Sequence, residues 1–342
     1  MMYQVNKVLF KRNLLRQCLR YTHNEHSISK TIYPLESRKV LKVAGPEASV
    51  FLQGLITNDM RHFEDGAKSI YAMFLNNKGR VLFDTLIYKT ANEESFMIEC
   101  DLDIVSQLLR YLKLFKLKRK IEVVDTSKDF KLWAFISPPN TLQECVDLPT
   151  NIHISKDPRL SELGYRILAP ASLEENVIFD IIGNNAAIED SEEGYKYLRY
   201  KLGVGEGSED LPPGICFPLE VNCDYLHGVS FHKGCYIGQE VTARVHHTGV
   251  VRKRIMPIIF KVNVQNLPLN SVISDSNKPK SNVGKLKGYI HNQGLGLIRI
   301  KEALEATALN IEKFTVEVVK PSWWPIEAPK EKVKKNQRNQ CT

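Results

Sequence analysis

Hydrophobic and polar positions alternate in a way that divides the first 136 residues into recognisable elements. Arg38 to Val43 reads as a strand that stops at Gly45-Pro46, and Pro46 suits the first turn of a helix. Ala48, Phe51, Leu52 and Leu55 then recur at helical spacing, and Thr57-Asn58-Asp59 ends that helix in polar residues. Ile70 to Leu75 and Arg80 to Lys89 are strand-like. They flank Asn76-Asn77-Lys78-Gly79, a hairpin turn with glycine where a positive φ is needed. Ser95 to Cys100 continues the sheet. Asp101 is the expected cap of a helix that lines up Leu102, Val105, Leu108, Leu109 and Leu112 on one face. Strands follow at Ile121–Val124 and Phe130–Ile136. This order predicts an α+β fold with a sheet covered on one face.

Ser137 to Thr150 is a proline-containing loop, Gly164 to Leu168 a further strand, and residues 191–202 a helix with Tyr195, Leu198 and Leu202 inward. Gly203 to Pro218 is rich in Gly and Pro and predicts a long irregular connection, a type of segment that often carries function. Beyond His246-His247-Thr248-Gly249 the pattern becomes that of short strands: Val250 to Val264, Ser271–Ile273, Gly288–Ile290, Leu295–Ile300 and Phe314–Val319. Turn signals between them, including the polar loop Ser276 to Asn282, predict a small β-barrel.

Charge changes the picture only at the ends. The net charge of +8 resides in residues 1–24, which carry Lys7, Lys11, Arg12, Arg16 and Arg20 and no acid, and in residues 326–342, which carry a surplus of three. The body between them is near neutral, which argues against a nucleic-acid partner. Residues 1–24 also space Val8, Leu9, Leu14, Leu15 and Leu19 along a helix face, the pattern of a mitochondrial transit peptide. No apolar run is long enough to span a bilayer. The basic run Lys113, Lys116, Lys118, Arg119 and Lys120 fits either a dipole-matched helix end or a surface for an anionic partner. The seven cysteines are scattered, odd in number and without C-x-x-C pairs, as in a reducing compartment. Such scattering argues against a self-contained zinc or iron–sulfur site; Cys216, Cys223, His227, His232 and Cys235 match no standard ligand spacing.

The chemistry concentrates in Phe231-His232-Lys233-Gly234-Cys235-Tyr236-Ile237-Gly238-Gln239-Glu240 and the following Val241 to Arg244. Gly234 and Gly238 permit a bent backbone or close approach. Helix-favouring composition from Gln239 puts Cys235 in a loop just ahead of a helix N-terminus, where the helix dipole and Lys233 favour a thiolate. The alternative, a buried and inert thiol, stays open at this point.

The octapeptide Lys233 to Glu240 resembles the signature of the YgfZ-type folate-binding proteins, relatives of the glycine-cleavage T-protein (aminomethyltransferase) that act in iron–sulfur cluster maturation. Three other blocks agree in order: Phe51-Leu52-Gln53-Gly54-Leu55-Ile56-Thr57-Asn58-Asp59, Phe74 to Asp84 across the hairpin, and Pro218-Leu219-Glu220-Val221-Asn222. The resemblance covers roughly residues 35–320 and, with the presequence, points to the family's mitochondrial member.

This resemblance implies a T-protein-like folate-binding fold in which an N-terminal α+β region and a C-terminal small β-barrel surround a central channel. The corresponding divisions are a transit peptide at 1–28, the α+β region at 29–247, the barrel at 248–325 and a disordered basic tail at 326–342. A tetrahydrofolate-type ligand is implied, with Glu220 on the pterin, Tyr236 as a wall, Arg244 on a glutamyl carboxylate, and Asp84 and Asn58 near the channel. Lys233, Gly234, Gly238, Gln239 and Glu240 would support the signature. One departure is informative. T-proteins carry an adjacent acidic pair after the hairpin glycines, whereas this chain has Phe83-Asp84 and Gly79-Arg80.

The resemblance therefore implies an assembly factor rather than an enzyme. It would reside in the mitochondrial matrix and support [4Fe–4S] proteins of the aconitase type, lipoate synthesis and heme biosynthesis. Cys235 would handle a transient cluster shared with an A-type carrier partner. The alternative is a folate-dependent aminomethyltransferase or demethylase, for which Asp84 rather than Cys235 would be indispensable.

Overall fold

The computed structural model describes residues 30–138, 151–183 and 186–325. The expected presequence, the basic tail and most of the Ser137 to Thr150 loop lie outside these residues. Along the described chain come β1 (Thr31–Pro34), β2 (Arg38–Ala44), α1 (Ala48–Gln53), β3 (Ser69–Leu75), β4 (Val81–Lys89) and β5 (Ser95–Asp101). Then follow α2 (Val105–Lys116), β6 (Glu122–Asp125), β7 (Phe130–Ile136), β8 (His153–Lys156), β9 (Tyr165–Pro170), α3 (Glu175–Ile182) and β10 (Ala187–Ile188). The last part holds α4 (Glu193–Leu202), α5 (Gly207–Asp210), α6 (Gln239–Thr248), β11 (Lys253–Phe260), β12 (Val272–Asp275), β13 (Gly284–Ile290), β14 (Gln293–Arg299), α7 (Ile300–Glu305), β15 (Leu309–Ile311) and β16 (Phe314–Val318). No described helix is long and apolar enough to cross a membrane.

Two compact units divide this chain. One comprises the chain to Ser49, Arg61–Ser69 and Leu86–Tyr195; the other comprises Val50–Met60, Ile70–Thr85 and the chain from Lys196 onward.

In the first unit, one sheet has the order β10-β1-β7-β9-β8, antiparallel except where β10 joins β1. Its apolar face buries Ile32, Phe135, Ile167 and Ala169 with Ile178 and Ile182 of α3. In the second sheet of this unit, β5 pairs with β2 and with the Leu86–Lys89 part of β4, and β6 edges β2. The helix α2 follows its period: Val105, Leu108 and Leu112 are buried.

A buried ionic network lies within this unit. Glu99 of β5 accepts from Arg38 Nε at 2.8 Å and from the Tyr88 hydroxyl at 2.5 Å, and Arg166 lies 3.6 Å away. Asp157 takes a two-pronged bond from Arg159 at 2.9 and 2.7 Å, and Arg159 also donates to the Tyr195 hydroxyl at 3.1 Å. Desolvation and the neighbouring Glu99 hold the Tyr88 phenol well above its ordinary pKa.

In the second unit, β11-β14-β13-β12-β15-β16 close into a barrel. Met256, Ile258, Phe260, Ile273, Leu286 and Ile298 fill its interior, as the strand alternation predicts. A bulge between Leu286 and Gly288 interrupts the β13–β14 register. A Cβ on Gly288 would stand 2.1 Å from the Tyr200 hydroxyl, so only glycine admits the helix α4 there.

Several expectations need correction. Asp101 accepts from Asp103 N at 2.7 Å and so caps a 3-10 turn, Leu102–Ile104; the α-helix begins only at Val105 and Leu102 stays 49% exposed. The first helix stops at Gln53 rather than Leu55. The Gly203 to Pro218 connection contains the short α5, and the barrel has an additional strand, β15. Strands β1, β8 and β10 were not expected from the sequence, nor was helix α3, although its Val177, Ile178, Ile181 and Ile182 recur at helical spacing.

Candidate functional site

The signature loop belongs to the second unit and is built on the segment that ends α1. A helix leaves its last carbonyls without intrahelical donors. Here Lys233 supplies one: its ammonium donates to Gln53 O at 2.7 Å, Ile56 O at 2.8 Å and Asn58 O at 2.6 Å. Backbone bonds extend the seam, from Ile237 N to Gly54 O at 3.2 Å and from Ser230 N to Thr57 O at 3.1 Å. Thr57 Oγ1 donates to Gly228 O at 2.6 Å, and the Asn58 amide donates to His227 O at 2.8 Å and Tyr71 O at 2.7 Å. Asn58 Oδ1 in turn accepts from Asp59 N.

The glycines have separate duties. Gly238 caps α6 with φ 80°, and a Cβ there would stand 2.4 Å from Asn76 O. Across from it, Gly79 of the β3–β4 hairpin has φ 73° and faces Val241. The hairpin itself is closed by Gly79 N donating to Asn76 O and by Asn76 Oδ1 accepting from Lys78 N and Arg80 N. By contrast, Gly234 has open space where a side chain would be.

Cys235 is exposed, whereas Cys100, Cys216 and Cys223 are buried. Desolvation pushes the Cys216 and Cys223 thiols up, which keeps them protonated. Among the described residues, no group of three or more His, Cys, Asp and Glu is placed to hold a metal ion. Phe231 stacks on His246 of α6 at 3.5 Å and 9°, fixing the start of the loop.

Lys233 supports the signature from inside: its ammonium is buried and donates to three carbonyls. Burial lowers its pKa to about 8, with Asp59 opposing that shift. Tyr236 is also buried, with the Lys233 nitrogen 5.0 Å from its ring centre, and desolvation raises its phenol well above the usual range.

The residues expected around a pterin are not all gathered. Glu220 is half-buried. It accepts from Phe217 N at 3.3 Å and pairs with Lys253 at 3.3 Å. It lines a cleft of about 230 Å³ with Pro218, Val241, Thr242, Val245 and Val250. The Thr242 hydroxyl is buried there without a hydrogen-bond partner among the described residues. Asn58 and Asp84 are buried and bonded to backbone groups, Asp84 accepting from Gly207 N at 3.2 Å. Arg244 is exposed and lies 3.8 Å from Glu240, one helical turn away. Gln239 opens α6 and Glu240 projects into solvent.

Sequence reasoning missed Arg254. This buried guanidinium of β11 binds both Asp224 oxygens at 2.8 Å, donates to Leu219 O at 2.7 Å and lies 3.8 Å over the Tyr225 ring. It thereby fixes the stretch that leads into the signature. Its hydrogen-bond partners lie at least 30 positions away, so no local pattern marks it.

Residues 252–326 match the family model for the CAF17 C-terminal β-barrel domain. The mitochondrial iron–sulfur cluster assembly factor IBA57 of Mus musculus is 34% identical, with 88% of this chain and 87% of the relative aligned. The IBA57 of Homo sapiens is also 34% identical, over 86% and 85% of the two chains. In structure, the glycine cleavage system aminomethyltransferase T from Bartonella henselae superposes over 87% of both chains with a TM-score of 0.67 at 15% identity, a likeness of fold.

Proposed function

Because the chain belongs to the IBA57 family of mitochondrial iron–sulfur cluster assembly factors, we propose that it supports the maturation of [4Fe–4S] proteins and that Cys235 is its working thiol. The observation that carries this reading is the contrast among the described cysteines. Three are buried, and one stands exposed on the anchored signature loop. Binding to iron releases the thiol proton, and a single thiolate completes a cluster only with ligands from elsewhere. An A-type carrier in the mitochondrial matrix would supply the others. Client enzymes of the aconitase and lipoate-synthesis types would receive the product.

A folate ligand is part of the same proposal. The Glu220 cleft offers a half-buried carboxylate, an unpartnered Thr242 hydroxyl and aliphatic walls, a combination that fits a flat heterocycle with a polar edge. Glu220 and Thr242 would hold that edge and exclude water from it. Aminomethyl transfer is disfavoured by the buried Phe83 ring beside Asp84, packed 6.2 Å from Phe74.

The test is protein lipoylation in cells lacking this protein and rescued with wild type or Cys235→Ser. Lipoylation restored by wild type alone is the expected outcome. Rescue by both would remove Cys235 from the function, and normal lipoylation without the protein would sink the maturation reading.

A further inference from the structure

The end of α2 in the first unit has a composition that the cluster function does not use. Residues 104–121 contain no acid and hold Arg110, Lys113, Lys116, Lys118, Arg119 and Lys120. Arg119 lies 3.7 Å from Glu47; the other five cations have no acidic partner among the described residues. A helix dipole accounts for positive charge at this end. It does not account for the two leucines among the charges, Leu114 at 69% and Leu117 at 82% exposure. Leu117 follows the last turn with φ 51°, a left-handed conformation uncommon outside glycine. The helix therefore buries Val105, Leu108 and Leu112 and also projects a second, smaller apolar tip into water.

We propose that this tip docks onto a bilayer containing anionic phospholipids. Leu114 and Leu117 would enter the boundary between headgroups and acyl chains, while Arg110 and the lysines contact lipid phosphates. A bilayer fits better than an acidic protein on two counts. Four of the five unpartnered cations are lysines, compact point charges suited to a diffuse negative surface rather than to paired recognition of carboxylates. The apolar part is aliphatic, whereas protein hot spots favour Trp, Tyr and Arg and leave leucine under-represented.

The experiment compares co-sedimentation of the full chain with vesicles of phosphatidylcholine alone and of phosphatidylcholine mixed with phosphatidylserine. The chain's two basic ends are the same in every variant, so their own attraction cancels in the comparison. Wild type should bind the anionic vesicles roughly tenfold more tightly than Leu114→Ser/Leu117→Ser, a variant that touches only exposed positions and should keep its unfolding midpoint. A Leu117→Trp variant reports locally: its fluorescence should gain a blue-shifted component with anionic vesicles and not with neutral ones. Equal vesicle binding by wild type and the double serine variant, or no spectral change, would overturn the proposal. A shift with soluble polyglutamate but not with vesicles would assign the tip to an acidic polypeptide and overturn it equally.

Discussion

The side-chain nitrogen of Lys233 stands 2.6 Å from the backbone oxygen of Asn58, and through this bond and two like it the signature loop is fixed to the end of α1. The lysine is a structural tether. Lys233→Met should cost about 2–4 kcal/mol, because three acceptors lose a shared donor in a buried setting. Lys233→Arg should not restore it, since a planar guanidinium cannot converge on three carbonyls as an ammonium does. Urea unfolding of the three proteins measures this; wild-type stability in either variant would refute the tether.

The two signature glycines should respond oppositely to alanine. Gly238→Ala meets Asn76 O at 2.4 Å in a left-handed backbone and should destabilise by about 2–3 kcal/mol. Gly234→Ala has open space and no positive φ, and should stay within about 0.5 kcal/mol of wild type. Equal thermal shifts for the pair would contradict the geometry.

Cys235 should react first. Brief alkylation of the native protein followed by peptide mass spectrometry should label Cys235 at least about a hundredfold faster than Cys100, Cys216 and Cys223, which need an opening of the fold. Labelling of the four at similar rates would mean that the loop does not present its thiol as described.

Glu99 should be costly to neutralise. It faces Arg38, Arg166 and the Tyr88 hydroxyl with no solvent exposure, so Glu99→Gln leaves buried cations under-compensated. A loss of about 3–5 kcal/mol is expected from urea unfolding; a loss below about 1 kcal/mol would show that the arginines relax to other partners.

His153 supplies a pH signature. Burial lowers its pKa below 6.5. Above that value both folded and unfolded states hold it neutral, and its contribution is fully present. As pH falls through 6.5 the unfolded chain takes up the proton first, so stability declines until the folded pKa is reached. His153→Gln should flatten the acid limb of the stability profile between about pH 7 and pH 5. Parallel profiles for the two proteins would show that burial does not set this titration.

What the sequence disclosed follows from range. The hairpin at Asn76 to Gly79, the helix α2 and most barrel strands were visible because their signals repeat every two or three to four residues. The start of α6 at Gln239 and the loop position of Cys235 were visible from local composition, with glycines at 234 and 238 and helix-favouring residues from Gln239 onward. The four-residue β1 and the two-residue β10 are too short to show a period, and the strand pairing that makes them recognisable joins residues 99 to 156 positions apart. Lys233 was visible as a cation near a thiol, but its acceptors lie 175 to 180 positions earlier, so its tethering role was not visible. The Thr242 hydroxyl is an unremarked helical threonine until the cleft around it is seen.

That separation also sets an order of events. Synthesis delivers Gln53, Ile56 and Asn58 long before Lys233, and the second unit draws on three separate stretches of chain. Closing so large a loop is entropically slow and has to await the later residues. The platform beneath Cys235 therefore forms only once most of the polypeptide has emerged. Lys233 precedes Cys235 by two positions, so tether and thiol emerge together, and competence to present the cysteine arises late in synthesis, long after α1 has formed.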